Sequence, residues 1–176
     1  MQTDVSDGVA ELARQGVIDP KRACIVGASY GGYVALAGMT VQQGLYRCAV
    51  SYAGVSDLND FLEWFSPSQD DDRDAGTRYL RKFIGASGND DPALHALSPS
   101  RLAARADAPV LLIHGADDTT VPIAQSRKME RELRRAGKPV DFVLLKGEDH
   151  QLSRDATRKA MLKAAMDFVE AHNPAD

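Results

Sequence analysis

The chain has little with which to grip a metal, a nucleic acid or a bilayer. It holds two cysteines in 176 residues, too few for the multi-bridge framework of small disulfide-rich domains. Cys24 and Cys48 both lie in apolar, strand-like runs, so buried free thiols are expected. The cysteine and histidine spacings form no zinc pattern, and no glycine-rich loop is built to cradle phosphate. No metal or organic cofactor is therefore expected. Lys and Arg number 21 against 25 Asp and Glu, a net charge of −4, which argues against a nucleic-acid partner because a phosphate backbone needs a basic face. No stretch approaches the roughly 18 apolar residues of a membrane span, so no membrane partner is expected. The N-terminus lacks the basic-then-apolar leader pattern, and a cytoplasmic location is the expectation. The one dense acidic run, Asp70-Asp71-Asp72, is broken at once by Arg73 and reads as a solvated loop rather than a metal site.

What is present is a chain 44% hydrophobic and 26% charged, suited to one domain over residues 1–176 with a real core. Helical and strand signals alternate. Residues 4–15 carry Val5, Val9, Leu12 and Ala13 at helical spacing, with Gly16 beyond the end. Strands are expected over 22–26, 47–53, 109–114 and 140–145. Helices are expected over 30–43, 58–65, 77–84, 98–106, 122–136 and 154–171, with loops at 66–76 and 85–92. The run Pro109 to His114 is apolar throughout and reads as a strand buried on both faces. This alternation predicts a mostly parallel α/β sheet flanked by helices, with its site beyond the carboxyl ends of the strands.

The run Gly27-Ala28-Ser29-Tyr30-Gly31-Gly32 directly follows the apolar Ala23-Cys24-Ile25-Val26. A Gly-x-Ser-x-Gly pattern between strand and helix holds a serine hydroxyl out on a tight turn. The Tyr30 N–H then serves as an oxyanion donor. Serine chemistry needs a base beside the hydroxyl and a carboxylate to orient that base. Of the four histidines, His150 follows the fourth strand in Gly147-Glu148-Asp149-His150 and is the best base. His114 precedes Gly115 and shapes the turn after the third strand. His95 lies in a polar loop region and His172 near the terminus. The carboxylate belongs in the loop after the third strand, where Asp117 and Asp118 are adjacent and spacing does not separate them. The order Ser, Asp, His is that of an α/β-hydrolase.

These motifs resemble the prolyl oligopeptidase family of serine peptidases. Gly27 to Tyr33 is similar to the family's nucleophile region. Gly16-Val17-Ile18-Asp19-Pro20-Lys21-Arg22 is similar to the connection before it. Leu112-Ile113-His114-Gly115 through Val121-Pro122 and Gln125-Ser126 resembles its aspartate loop, and Gly147 to His150 its histidine loop. In that pattern the aspartate stands three residues before the valine, which implies Asp118. The likeness runs over nearly the whole chain. It implies a partial α/β-hydrolase fold, the second half of the catalytic domain, with the early strands and the family's β-propeller missing from this sequence. Nothing in the sequence resembles the upstream loop that carries the second oxyanion donor. The resemblance also implies a peptide or acyl-ester substrate, handled by Ser29, Asp118 and His150 through an acyl-enzyme. A carboxylesterase, or a non-catalytic interaction or folding module, is the alternative. Tyr30 and Val121, with Leu58, Phe61 and Trp64 after the second strand, are candidate pocket residues. The first strand would lie at a sheet edge through which the chain forms a homo-oligomer.

Overall fold

A computed structural model describes residues 2–66, 75–88 and 91–175. The acidic run at 70–72 lies outside the described residues. The order of elements is α1 (Gln2–Arg14), β1 (Cys24–Ala28), α2 (Tyr30–Thr40), β2 (Cys48–Tyr52), α3 (Leu58–Phe65), α4 (Ala75–Ile84) and α5 (Pro92–His95). A 3-10 helix (Pro99–Arg105), β3 (Val110–Gly115), α6 (Ala124–Arg135), β4 (Val140–Leu145) and α7 (Asp155–His172) complete it. The strands form one parallel sheet in the order β1-β2-β3-β4. Each crossover passes through helix, as parallel pairing requires.

Side chains alternate across the sheet. Ile25, Ala49, Val110 and Leu112 face α2 and α6, where Leu36, Met39, Met129 and Leu133 fill the main core. Cys48, Val50, Tyr52, Leu111 and Ile113 face α7 and meet Ala165 and Phe168. All six residues of β3 are buried, because helices cover both its faces. A smaller cluster of Val55, Leu58, Leu62, Leu94 and Val121 lies beyond the carboxyl ends of the strands. Among the described residues, no helix is long and apolar enough to cross a membrane.

One expectation is overturned. Cys24 and Cys48 are joined in a disulfide, not free thiols. They are register partners on neighbouring strands, and their Cα atoms lie 4.7 Å apart, within disulfide reach. Strand register is a tertiary fact that their 24-residue separation does not reveal. Smaller differences sit at element ends. β1 begins at Cys24 rather than residue 22, because Asp19 to Arg22 close a turn through the Arg22 N–H and the Asp19 carbonyl. α2 ends at Thr40. α5 is a short helix where a loop was expected, started by the Asp91 carboxylate accepting the Ala93 N–H.

Candidate active site

Ser29 sits between β1 and α2 at φ 56° and ψ −119°, a backbone region an L-residue occupies only when its surroundings impose it. Its N–H donates to the Tyr52 carbonyl at 2.8 Å, and its carbonyl accepts the Tyr33 N–H at 3.1 Å. A Cβ at Gly27 would stand 2.1 Å from the Gly31 carbonyl oxygen, so the turn closes only around glycine. Ser29 holds the N-cap position of α2, yet its hydroxyl makes no capping bond. Asp57 and Asp91, by contrast, cap their helices with side-chain oxygens. Tyr30 opens α2, so its N–H has no acceptor within the helix, and among the described residues no backbone acceptor outside it.

The carboxylate of Asp118 is fully buried. Its Oδ1 accepts the N–H groups of Thr120 at 2.8 Å and Val121 at 2.9 Å. Its Oδ2 accepts from His150 Nδ1 at 2.7 Å. That contact places the ring proton on Nδ1 and leaves Nε2 with its lone pair. Asp117 is exposed, and its N–H donates to the Glu148 carbonyl at 2.9 Å. Geometry therefore separates the two aspartates that spacing does not.

His114 is buried and lies in the turn. Its Nε2 donates to the Val121 carbonyl at 2.9 Å, since a carbonyl only accepts, and its Nδ1 accepts from the Ser126 hydroxyl at 2.7 Å. Burial pulls its pKa down, and the bond to the Val121 carbonyl and the nearby Asp118 only partly offset this. His114 is a neutral brace for the aspartate loop. His95 ends α5 and His172 ends α7.

The loop that carries His150 is pinned on two sides. The buried Glu148 carboxylate accepts from the Thr157 hydroxyl, from the Asp149 N–H at 3.0 Å and from the Arg154 N–H at 3.3 Å. The Thr157 bond is the main reason its pKa lies below the usual range. On the other side the loop rests on Gly115, where a Cβ would meet the Glu148 carbonyl oxygen at 2.5 Å. The Tyr52 hydroxyl donates to the Asp149 carbonyl at 2.7 Å and faces the His150 carbonyl at 3.4 Å. Asp118 and His150 are thus in contact. Among the described residues, no hydrogen bond joins Ser29 Oγ to His150 Nε2; the nucleophile turn and the histidine loop are linked through Tyr52.

Of the candidate pocket residues, Tyr30 is 41% exposed beside Ser29, whereas Leu58 and Val121 are buried in the smaller cluster and Phe61 lies at its margin. Trp64 is exposed and stacks on Phe61. Sequence reasoning missed Phe83 and Tyr79. Phe83 meets Tyr30 edge-on at 5.7 Å and stacks with Tyr79 at 6.0 Å, which makes an exposed aromatic shelf beside the nucleophile. No local pattern links residues fifty apart. Tyr52 was missed too, although a tyrosine closing an apolar strand at its carboxyl end is a readable sign of a polar tip near the site.

Among the described residues, no three His, Cys, Asp or Glu side chains converge as a metal site would require. Clefts lined by Pro109, Lys138, Phe142 and His172 lie beside β4 and α7.

The model of the prolyl oligopeptidase family matches residues 1–174. Dipeptidyl aminopeptidase BIII of Pseudoxanthomonas mexicana is 30% identical over 96% of this chain and 24% of its own length. A puromycin-hydrolyzing peptidase of Mycobacterium tuberculosis superposes with a TM-score of 0.79 at 30% identity, covering 96% of this chain and 24% of that one. An acylaminoacyl peptidase of Pyrococcus horikoshii superposes with a TM-score of 0.81 at 27% identity, covering 99% of this chain and 28% of that one. The chain spans about a quarter of the length of these relatives.

Proposed function

The chain belongs to the prolyl oligopeptidase family, and on that premise we propose that it hydrolyses oligopeptide or acyl-peptide bonds by acyl transfer through Ser29, His150 and Asp118. The observation that carries this reading is the 2.7 Å contact between His150 Nδ1 and the buried Asp118 carboxylate, at the end of the sheet where Ser29 stands uncapped on its turn.

In the proposed reaction, Ser29 Oγ attacks the scissile carbonyl and its proton passes to His150 Nε2. Asp118 holds the imidazole in the tautomer that exposes Nε2 and stabilises the imidazolium as it forms. The Tyr30 N–H donates to the oxyanion at the positive end of α2. His150 returns the proton to the leaving amine, and Ser29 is left acylated. Water, deprotonated by His150, then releases the acid and restores the hydroxyl. The exposed shelf of Tyr30, Phe83 and Tyr79 offers apolar surface to the residue before the scissile bond.

A fluorophosphonate probe tests this directly. The folded wild-type chain should become covalently labelled, and Ser29→Ala should abolish labelling with an unchanged melting temperature. A well-folded wild type that resists the probe would overturn the reading in favour of a non-catalytic module. For a chain that labels, comparing a p-nitrophenyl ester with a peptide anilide separates esterase from peptidase.

A further inference from the structure

Tyr52 touches both halves of the site, yet the reaction just described gives it no task. It ends β2 and is the register partner of Ala28, so its main chain runs beside the residue before Ser29. Its carbonyl accepts the Ser29 N–H at 2.8 Å. Its ring is 5% exposed and packs in the core under α7. Its hydroxyl donates to the Asp149 carbonyl at 2.7 Å, with the His150 carbonyl at 3.4 Å. One residue therefore grips the nucleophile turn with its backbone and the loop of the base with its side chain.

We propose that Tyr52 is a positioning residue that sets the separation of Ser29 Oγ and His150 Nε2 by anchoring both loops to the end of β2. This rests on the acyl-transfer reading of the same site. The other anchors of the histidine loop have different reach. Glu148 ties it forward to Thr157 and Arg154 in α7 and just before it, and Asp118 ties the ring to the loop after β3. Among the described residues, neither carboxylate hydrogen-bonds to β1 or its turn. The loop itself contains two residues at positive φ, Gly147 at 68° and Leu152 at 55°, so its path depends on what holds it. A rigid aromatic ring is a suitable spacer because only two torsions must be fixed. Its hydroxyl is a dependable donor: burial, and then the charges of Asp118, Glu148 and Asp149, push its pKa far above the ordinary tyrosine value.

The test substitutes Tyr52→Phe, which keeps the ring and removes only the hydroxyl. Tyr46→Phe is the control, since Tyr46 is equally buried in the opposite core and its hydroxyl has no partner among the described residues. Amide hydrogen exchange over residues 147–153 should accelerate about five-fold in Tyr52→Phe, the factor of one hydrogen bond worth about 1 kcal/mol. The rest of the sheet should keep its protection. The fluorophosphonate labelling rate and kcat on a small ester should fall about ten-fold while KM holds, because displacing a base by a fraction of an ångström slows the chemical step without weakening binding. Tyr46→Phe should change neither. Loop exchange at the wild-type rate in Tyr52→Phe overturns the proposal, and so does faster exchange with undiminished labelling. A wild type that does not label defeats the hydrolase reading instead, and the exchange measurement then decides by itself whether Tyr52 anchors the loop.

Discussion

Asp118 presents its two oxygens to different tasks. Oδ1 is held by the Thr120 and Val121 N–H groups, which aim the carboxylate, and Oδ2 is left to face His150 Nδ1. Asp118→Asn keeps the first task and reverses the second. The amide turns its oxygen to the two backbone donors and its NH2 toward the imidazole. His150 must then accept at Nδ1 and carry its proton on Nε2, the atom that has to be bare. We expect kcat on an ester substrate to fall by about 10^4-fold with KM little changed, the consequence of a trapped wrong tautomer. Asp117→Asn, on the exposed neighbour, should stay within about two-fold of wild type, as surface substitutions do. Steady-state kinetics on both variants decides it. The Ser29 motif and the His150 loop were legible in the sequence because each follows a strand within a few residues. The choice of Asp118 was not legible from spacing; it needed either the family pattern or the burial that now separates it from Asp117.

At the scale of elements, the turn after β2 shows how helices are tied to the sheet's working end. The Asp57 carboxylate is fully buried. It caps α3 by accepting the Asn59 and Asp60 N–H groups, and it accepts Lys128 of α6 at 2.7 Å and Arg101 of the 3-10 helix at 2.9 Å. Gln125 Oε1 accepts the Ser56 and Asp57 N–H groups beside it, both at 2.8 Å. Burial alone would push the Asp57 pKa up, but the Lys128 bond and the other donors outweigh it, and the net shift is downward. A carboxyl whose folded pKa is depressed adds stability above its unfolded pKa of about 4, and that contribution is lost as pH falls through the lower folded value. Asp57→Ala should therefore cost about 2–3 kcal/mol at pH 7, combining a lost cap with the loss of the carboxylate shared by Arg101 and Lys128, of which Lys128 keeps Asp60 at 2.7 Å. Its deficit relative to wild type should shrink as the pH is lowered below about 4. Urea unfolding at pH 7 and pH 3.5 reads both. α3, β3 and β4 were legible because amphipathic spacing and apolar runs are local signals. The Asp57 cluster was not, because its members come from three segments up to 71 residues apart. Helix ends were likewise set by caps and turns rather than by the apolar period.

For the whole molecule, the exposed margins of the sheet matter most. β1 is an edge strand whose only neighbour among the described residues is β2, and the disulfide from Cys24 to Cys48 fastens it there. The other edge, β4, carries the exposed Asp141 within its run, a charge that discourages pairing with a second sheet. β1 has no such guard. Its sequence Cys-Ile-Val-Gly-Ala is uncharged, and Val26 is 58% exposed at its middle. Such an edge joins another strand readily, because its outward N–H and C=O groups gain partners while the apolar side chain leaves water. We therefore expect the weight-average mass in sedimentation equilibrium to rise with protein concentration, and Val26→Lys to shift that rise to concentrations about ten-fold higher. The substitution places a charge on a side chain already facing solvent, so the melting temperature of the dilute protein should move little. A wild-type mass fixed at 19.0 kDa across the micromolar to millimolar range would show that the β1 edge does not drive association.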